Sequence, residues 1–358
     1  MLIFLKNPSV RLMGCKIHRN LCYHYRQSTI RLHKRVLHRV KLGERDPQNR
    51  FCDFDGLGWR IISDQIFSRA NQKMGLFRNI KRSFLKHIPV RALEGSGRVI
   101  KEIVIEAYLK ENLLGNPRYN GKKLNRHEFQ VFSQGGEDGI IEEIFNRIGT
   151  TDRYFVEFGV GNGSENNTTY LLLKDWQGLW IESGEKNVAA IKKDYGSLIA
   201  NRQLQVRQDF ITAENIEDIF KVASVPESFD LLSIDIDRND YWVWKAINRY
   251  YPRVLVIEYN AVIPPHIEWI VKYEARTSWD GSSHQGASLK SLEILGARKG
   301  YRLVGCSFTG SNAFFVREEL VGDKFAEPFT AEHHYEPPRY FIARKLGSPR
   351  RFGDFVRE

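Results

Sequence analysis

Short apolar segments alternate with amphipathic segments over residues 125–320 of this 358-residue chain. The apolar runs predict five β-strands, at Tyr154–Phe158, Gly178–Glu182, Leu204–Val206, Phe229–Ile236 and Arg253–Tyr259. Apolar residues at helical spacing predict α-helices at Glu137–Ile148, Asn167–Lys174, Lys186–Tyr195, Tyr241–Asn248 and Ser288–Lys299. Strands that alternate with helices in this way are typical of a parallel sheet covered on both faces.

Two further apolar runs close this region. Tyr301–Ser307 and Ala313–Arg317 are joined by a link too short for a crossover helix, so they predict an antiparallel hairpin. The expected fold class is therefore α/β, a Rossmann-like doubly wound sheet of seven strands, mostly parallel with a C-terminal antiparallel hairpin. This plan resembles that of the class I methyltransferase fold.

The segments around this domain differ from it in composition. Residues 1–50 are basic and show no sustained period, which favours a disordered arm or a targeting segment. Residues 51–124 are mixed, and apolar spacing predicts a helix at Val99–Leu113. Residues 321–358 form a polar tail in this interpretation. The predicted domain thus spans residues 125–320, between an N-terminal extension and a C-terminal tail.

The excess positive charge lies at the beginning of the chain. Of 54 basic and 43 acidic residues, twelve and two fall in residues 1–50, so the other 308 residues hold 42 and 41. A nucleic-acid enzyme usually needs a basic face on its folded domain to neutralise phosphates. We therefore expect no nucleic-acid partner; the expectation of a small-molecule or glycan acceptor comes from the family resemblance described below.

Cysteine usage and hydropathy bear on the compartment. The four cysteines do not form a disulfide framework, which suits a reducing compartment. No apolar run approaches the roughly 20 residues of a transmembrane helix. We expect a cytoplasmic protein, or a mitochondrial one if residues 1–45 are a presequence.

A glycine-rich turn follows the first strand. Glu157 lies two positions before Gly159, and Gly161 and Gly163 follow at alternate positions. Glycines let a backbone turn sharply and approach a ligand closely. The spacing departs from the dinucleotide fingerprint, and no Gly-Lys-Ser/Thr follows. S-adenosylmethionine (SAM) carries an ammonium and a sulfonium but no phosphate, so these four residues are predicted SAM contacts; the alternative is a structural tight turn.

Two acidic residues end the next two strands. Glu182 closes the second strand, where an acidic side chain in nucleoside-binding sheets pairs with the ribose hydroxyls. Asp209 follows the third strand and could accept a hydrogen bond from the adenine amino group. It could equally begin a turn or the next helix.

The densest acidic cluster follows the fourth strand. Asp235 and Asp237 are two positions apart, so in an extended chain they share a face. They could hold SAM or the acceptor, accept the proton of an acceptor hydroxyl, or bind a divalent metal, which the argument does not require. A histidine of the irregular stretch after the fifth strand, His284 or His266, is the other candidate base.

Several strings in this region resemble the FkbM-type SAM-dependent methyltransferases. They are Phe132-Ser133-Gln134-Gly135-Gly136-Glu137-Asp138, Phe155-Val156-Glu157-Phe158-Gly159 and Ile234-Asp235-Ile236-Asp237. The resemblance covers residues 132–317. It implies O-methylation of a sugar or natural-product hydroxyl in polysaccharide or glycolipid biosynthesis. It also places SAM contacts on Glu157, Gly159, Gly161 and Glu182, with Gln134 added to the predicted site, and turns the Asp235/Asp237 loop toward the acceptor.

One position departs from that resemblance. Relatives usually have glycine after the second acid of the loop, whereas this chain has Arg238, which could narrow the cleft or pair with Asp237. Two alternatives stay open, the first because of Arg238 and the second because of the Asp-x-Asp pair. One is a catalytically inactive binding or scaffold protein with the SAM fold, and the other is a metal-dependent glycosyltransferase that uses the Asp235/Asp237 pair.

Overall fold

The computed structural model describes residues 90–343 and 350–353, with side chains from residue 100 onward. The predictions for residues 1–50, the presequence alternative and most of the 51–124 extension lie outside the described residues. No helix in the described part of the chain has the length and apolar character needed to span a bilayer.

A seven-stranded mixed sheet forms the centre of the fold. Its strands are β1 Tyr154–Phe158, β2 Gln177–Glu182, β3 Leu204–Gln208, β4 Ser228–Ile234, β5 Tyr251–Glu258, β6 Tyr301–Cys306 and β7 Asn312–Arg317. Their order across the sheet is β3-β2-β1-β4-β5-β7-β6. The first five pair in parallel, while β7 is antiparallel to both β5 and β6. The predicted doubly wound sheet with a closing hairpin is confirmed.

Helices connect the strands and flank the sheet. In chain order they are α1 Val90–Leu109, α2 Glu137–Ile148, α3 Thr169–Leu172, α4 Glu185–Asp194, α5 Gly196–Ala200, α6 Ile216–Val222, α7 Asp240–Ala246, α8 Leu289–Arg298, α9 Glu318–Val321 and α10 Ala331–His334. Short 3₁₀ turns lie at Pro117–Tyr119, Asn125–His127 and Tyr340–Ile342. The helix α6 was not predicted from the sequence.

Side chains alternate between the two faces of the sheet. Phe155 of β1 packs in one buried cluster, whereas Val156 and Phe158 pack in the other. In the same way Leu231 and Leu232 of β4 point into opposite clusters. Both faces are therefore buried, as the continuous apolar runs predicted.

Two helical predictions need correction. The predicted helix Asn167–Lys174 is only one turn, α3, because the backbone N–H groups of Asn167 and Thr168 donate to the Glu157 carboxylate instead of starting a longer helix. The predicted helix Val99–Leu113 is α1 followed by a π-helical turn, Lys110–Leu114. There Ile105 is buried while Ile103 is exposed, so the buried face differs from the most apolar one.

The segment after α9 is not a free polar tail. Phe325, Ala331 and His334 are buried, and Phe325 and Ala331 join the two clusters beside the sheet. Tyr259 Oη donates to the Glu336 carbonyl at 2.6 Å, which ties this segment to the end of β5. The polar sequence hid these contacts because its apolar residues are few and widely spaced.

Candidate functional site

A cavity of about 340 Å³ opens at the carboxyl ends of β1, β2 and β4. Ligands of open α/β sheets bind at this edge, outside the carboxyl ends of the strands. Residues predicted for the site that line the cavity are Gln134, Gly159, Gly161, Glu182, Asp209, Asp235 and Asp237. Seven of the ten predicted site residues are thus brought together, although they span a hundred positions of the chain.

The turn after β1 forms one wall of this cavity. Gly159 has a φ of +69°, and a Cβ there would lie 1.6 Å from the Asp235 carbonyl oxygen, so only glycine fits. Gly161 has a φ of +54° and faces open space. The turn therefore packs closely against the end of β4 and leaves room for a ligand beside Gly161.

Gly163 does not line the cavity. Its φ is +82°, and a Cβ there would meet the rings of Trp180 and Tyr195 at 2.8 and 2.9 Å. The Tyr195 hydroxyl donates to the Gly163 carbonyl at 2.6 Å. The prediction of a cofactor contact at Gly163 is corrected to a packing role, because the turn has already left the cavity at this residue.

Glu157 is also removed from the cavity. Only 2% of its surface is exposed, and its oxygens accept hydrogen bonds from Asn166 Nδ2, from Asn167 N, and from the backbone and hydroxyl of Thr168, all at 2.5–3.1 Å. Ser233 Oγ donates to it as well, at 3.1 Å. Glu157 therefore shapes the turn from inside the fold. The predicted SAM contact is corrected to a positioning role.

Glu182 and Asp209 occupy the wall formed by β2 and β3. Glu182 Oε2 accepts from Gly161 N at 2.9 Å, and its Oε1 accepts from Gly184 N at 2.7 Å. Asp209 Oδ2 is 2.8 Å from Nε of Arg207 and remains partly exposed. Glu182 thus fixes the glycine turn and the start of α4 while still lining the cavity.

Gln134 reaches the cavity from a loop before α2 that is held by two buried acids. Asp138 Oδ2 accepts the backbone N–H groups of residues 131, 132 and 133 at 2.6–3.0 Å. Glu137 accepts from Gly135 N at 2.8 Å and from Asn312 Nδ2 at 3.2 Å. Through these contacts, Glu137 and Asp138 hold the loop that carries Gln134 in place. This accounts for the two acids that end the Phe132–Asp138 string.

Three carboxylates meet where β4 and β5 end. Ile234 lies opposite Ile257 in the parallel register, which puts the next residues, Asp235 and Glu258, side by side. One carboxylate oxygen each of Asp235, Asp237 and Glu258 lies within 4.8 Å of the others. Burial, followed by the charges of Asp240 and Asp237, raises the pKa of Asp235 well above its usual range. Burial and the neighbouring acids raise the pKa of Glu258 in the same way.

The loop after Asp235 has an unusual backbone. Asp237 has a φ of +65°, in the left-handed region that β-carbon-bearing residues rarely occupy. Asp237 is an exposed residue of the cavity wall. Its partial burial, together with the charge of Glu182, raises its pKa. Arg238 turns the other way, and its Nη2 lies 3.4 Å from Glu274 Oε2. The guanidinium neither pairs with Asp237 nor lines the cavity.

The predicted histidine base is not brought to the site. His284 is exposed and does not line the cavity, and His266 is exposed in the same connection. Asn260 Nδ2 donates to the carbonyls of Ser283 and Gln285 at 2.7 and 3.0 Å, which holds the segment around His284 beside the end of β5. The catalytic role of the histidine therefore stays a prediction that the cavity lining does not support.

Several cavity residues were missed by the sequence reasoning. Glu258 was also missed: it does not line the cavity but lies beside Asp235 and Asp237, and its signal was an acid that ends a buried strand next to the strand of Asp235. Asn239 lines the wall, as do Thr277 and Ser278 of the long connection before α8. Phe210 also lines it, and 45% of its surface is exposed. Only its place directly after Asp209 could have indicated it.

Acids are the only charged residues among the described residues that line the cavity. Its wall contains Glu182, Asp209, Asp235 and Asp237, and none of the described residues that line it is a lysine or an arginine. Asp209 is paired with Arg207, but the carboxylates of Glu182, Asp235 and Asp237 have no cationic partner among the described residues. Such carboxylates in a partly buried site favour a cationic ligand and oppose a phosphate, which would add further negative charge.

No family model and no curated protein matches the chain. Solved structures resemble it at low identity. An O-methyltransferase from Bacillus cereus in complex with SAH is 16% identical, covers 59% of this chain and 88% of its own, and has a TM-score of 0.34. The N-terminal domain of EvdMO1 with SAH bound is 13% identical, covers 53% of this chain and 80% of its own, and has a TM-score of 0.34.

A SAM-dependent methyltransferase from Aquifex aeolicus is 11% identical, covers 49% of this chain and 87% of its own, and has a TM-score of 0.30. Since all three scores are below 0.5, the fold assignment rests on the strand order and directions of this chain. The resemblance to FkbM-type enzymes stays a prediction.

Proposed function

We propose that this protein is a SAM-dependent methyltransferase that methylates a hydroxyl group of a sugar or natural product. The observation that carries the proposal is the acidic cavity beside the Gly159–Gly161 turn, at the carboxyl ends of the central strands. A ligand with an ammonium and a sulfonium suits such a wall. A nucleotide diphosphate does not, because no lysine or arginine among the described lining residues would neutralise it.

The cavity residues suit the parts of SAM. Glu182, at the end of β2, is placed to accept hydrogen bonds from ribose hydroxyls. Phe210 offers an exposed aromatic face and Asp209 a carboxylate for the planar adenine and its amino group. Gln134 and the open side of Gly161 are left for the amino-acid portion.

When bound, SAM supplies an activated methyl group: its carbon–sulfur bond breaks as a carbon–oxygen bond forms to the acceptor, and the acceptor's hydroxyl proton must leave to a base. The contribution of the chain is alignment and proton removal. Asp235 and Asp237 line the cavity at the end of β4, and Asp237 is exposed there. Either carboxylate is placed to accept that proton.

The acceptor side is formed by the connection between β5 and α8. Thr277 and Ser278 line the cavity and offer hydroxyl groups. Trp269 and Trp279 of the same connection are 64% and 47% exposed, which is unusual for such large apolar rings. Exposed indole faces and hydroxyls are suited to the apolar faces and polar edges of sugars. These features support a glycan or glycoside acceptor.

Titration calorimetry of the full chain with SAM, and separately with a UDP-sugar plus Mn²⁺, tests the proposal. We expect SAM to bind and the UDP-sugar to show no heat. Glu182→Gln keeps the size of the side chain but removes its charge, and should weaken SAM binding by roughly 10–100-fold, the value of one charged hydrogen bond. Glu227→Gln, an exposed change at the opposite edge of the sheet, should leave it unchanged.

Binding of the UDP-sugar alone would replace the methyltransferase proposal with the glycosyltransferase alternative. If SAM binds, transfer of labelled methyl groups to glycan extracts is the second measurement. Asp235→Asn should abolish that transfer and retain SAM binding. Labelled methyl that never appears in any acceptor would favour the inactive scaffold.

A further inference from the structure

Three carboxylates lie close together at the ends of β4 and β5. Asp235, Asp237 and Glu258 each bring one oxygen within 4.8 Å of the other two. Two oxygens on opposite sides of a bound Ca²⁺ are about 4.6–5.2 Å apart, and those around Mg²⁺ are about 4.0–4.2 Å apart. An upper limit of 4.8 Å therefore leaves the three oxygens close enough together to contact one Ca²⁺ or one Mg²⁺.

A second observation points to a cation at the same place. Asn239 lines the same cavity and is 3% exposed, yet its Oδ1 has no hydrogen-bond partner within the described residues. Asn239 Nδ2 donates a hydrogen bond to the Glu274 carbonyl at 2.9 Å, which fixes the orientation of the side-chain amide. In this orientation the amide oxygen is available to a ligand. An amide oxygen is a common ligand of hard cations.

The neighbouring acid repeats this pattern. Asp240 is 1% exposed, and its Oδ1 accepts from Ile236 N at 2.8 Å while its Oδ2 has no partner in the described part of the chain. Buried polar atoms are nearly always satisfied, so the unpaired Asn239 oxygen in the cavity wall points to a bound partner, and the unpaired Asp240 oxygen belongs to the next residue along the chain.

We propose that Asp235, Asp237 and Glu258 bind one divalent cation of the Mg²⁺, Mn²⁺ or Ca²⁺ class, with Asn239 close by, at the acceptor end of the cavity. All the candidate donors are oxygens and none is a histidine or cysteine, which excludes a zinc-type preference. The cation balances two of the three negative charges.

This inference deepens the proposed function and rests on it for its consequence. A cation at the acceptor end would bind the acceptor hydroxyl and lower its pKa, so that the hydroxyl proton leaves more readily before methyl transfer. Asp235 and Asp237 would then act mainly as ligands. Arg238, turned toward Glu274, leaves room for the cation on the cavity side.

The test is titration of the full-length protein with MnCl₂ and with CaCl₂, followed by calorimetry and, for Mn²⁺, by electron paramagnetic resonance. We expect a single bound cation. Asp237→Asn, at an exposed side chain, and Glu258→Gln should each weaken binding by at least about tenfold. Asp209→Asn removes an acid from the same cavity outside the cluster and should change binding by less than about threefold.

Absence of Mn²⁺ and Ca²⁺ binding would overturn the inference, as would equal weakening in all three variants, which would indicate general attraction to an acidic cavity. A parallel titration with SAM in the presence of EDTA separates the two proposals. If cations bind and SAM does not, the methyltransferase proposal fails and the cation site stands. If SAM binds and cations do not, the reverse holds.

Discussion

Charged side chains at the beginnings of β4 and β5 form an ion pair, whereas those at the ends of the same two strands are acids without a cationic partner in the described part of the chain. Near their beginnings, Asp230 and Arg253 are buried side by side, and Arg253 Nη1 donates to Asp230 Oδ1 at 2.6 Å. At their ends, Asp235 and Glu258 are again side by side, but both are acids. The same two strands in the same register thus carry a neutralised pair at one edge and a concentration of negative charge at the other.

The hydrogen bonds around each pair show what this difference means. Asp230 also accepts from the backbone N–H groups of Thr151 and Arg153, and Arg253 donates to the carbonyls of Ile148 and Gly149. That edge connects α2 to β1 and serves stability. The opposite edge leaves charge uncompensated within the chain, which lowers stability and is typical of a ligand site.

The largest expected effect comes from breaking the buried ion pair between Asp230 and Arg253. Arg253→Met should lower the free energy of unfolding by about 3–5 kcal/mol, because it leaves the Asp230 carboxylate buried without its cation. Chemical denaturation at neutral pH measures the change. Glu318→Gln removes one partner of the surface pair with Arg302, and should cost at most about 1 kcal/mol. Equal losses in both variants would contradict the assigned role of the buried pair.

A buried contact between two basic groups gives an effect of intermediate size. Lys123 Nζ lies 3.3 Å from His334 Nδ1, and burial, with the charge of Lys123, lowers the pKa of His334 well below its usual value. Below pH 6.5 this histidine is therefore protonated in the unfolded chain but not in the folded chain, so the contribution of His334 to stability falls as the pH falls. Acids with a raised pKa, such as Asp235, contribute in the opposite direction. The slope from His334 can reach about 1.4 kcal/mol per pH unit.

Denaturation curves between pH 7.5 and 5 check this slope. His334→Gln should remove this contribution, so that the variant loses less stability than the original protein between pH 7.5 and 5, even if the variant is less stable at every pH. His266→Gln alters an exposed histidine and should leave the slope as it is in the original protein. A slope that survives in His334→Gln would assign the pH dependence to other groups.

The smallest change in the free energy of unfolding is expected at the three carboxylates where β4 and β5 end. It has the opposite sign, because the substitution should stabilise the fold. Glu258→Gln should raise the free energy of unfolding by about 1 kcal/mol when EDTA is present, because it removes repulsion among the three carboxylates. Thermal unfolding at pH 7.5 measures it. Addition of Mn²⁺ should stabilise the original protein more than the variant. A clear loss of stability in EDTA would mean that Glu258 holds the fold together and does not serve a ligand.

The sequence by itself determined the order and type of most elements of the domain. Continuous apolar runs such as the one in β4 require burial on both faces, and the short link between β6 and β7 permits only a hairpin. It also indicated which loops carry acids and glycines, because these residues are rare in strands. The pattern did not reveal the buried contacts after α9, since widely spaced apolar residues have no detectable period.

Only the tertiary structure decided which acids serve the cavity. Glu157 and Glu182 both end strands, but the turn after β1 folds back to enclose Glu157, while Glu182 remains in the wall. Glu258 entered the site because the register of β4 against β5 puts it beside Asp235, more than twenty residues away in the chain. Register and loop closure depend on long-range packing, and a local sequence pattern cannot encode distances between residues that meet only when the sheet has formed.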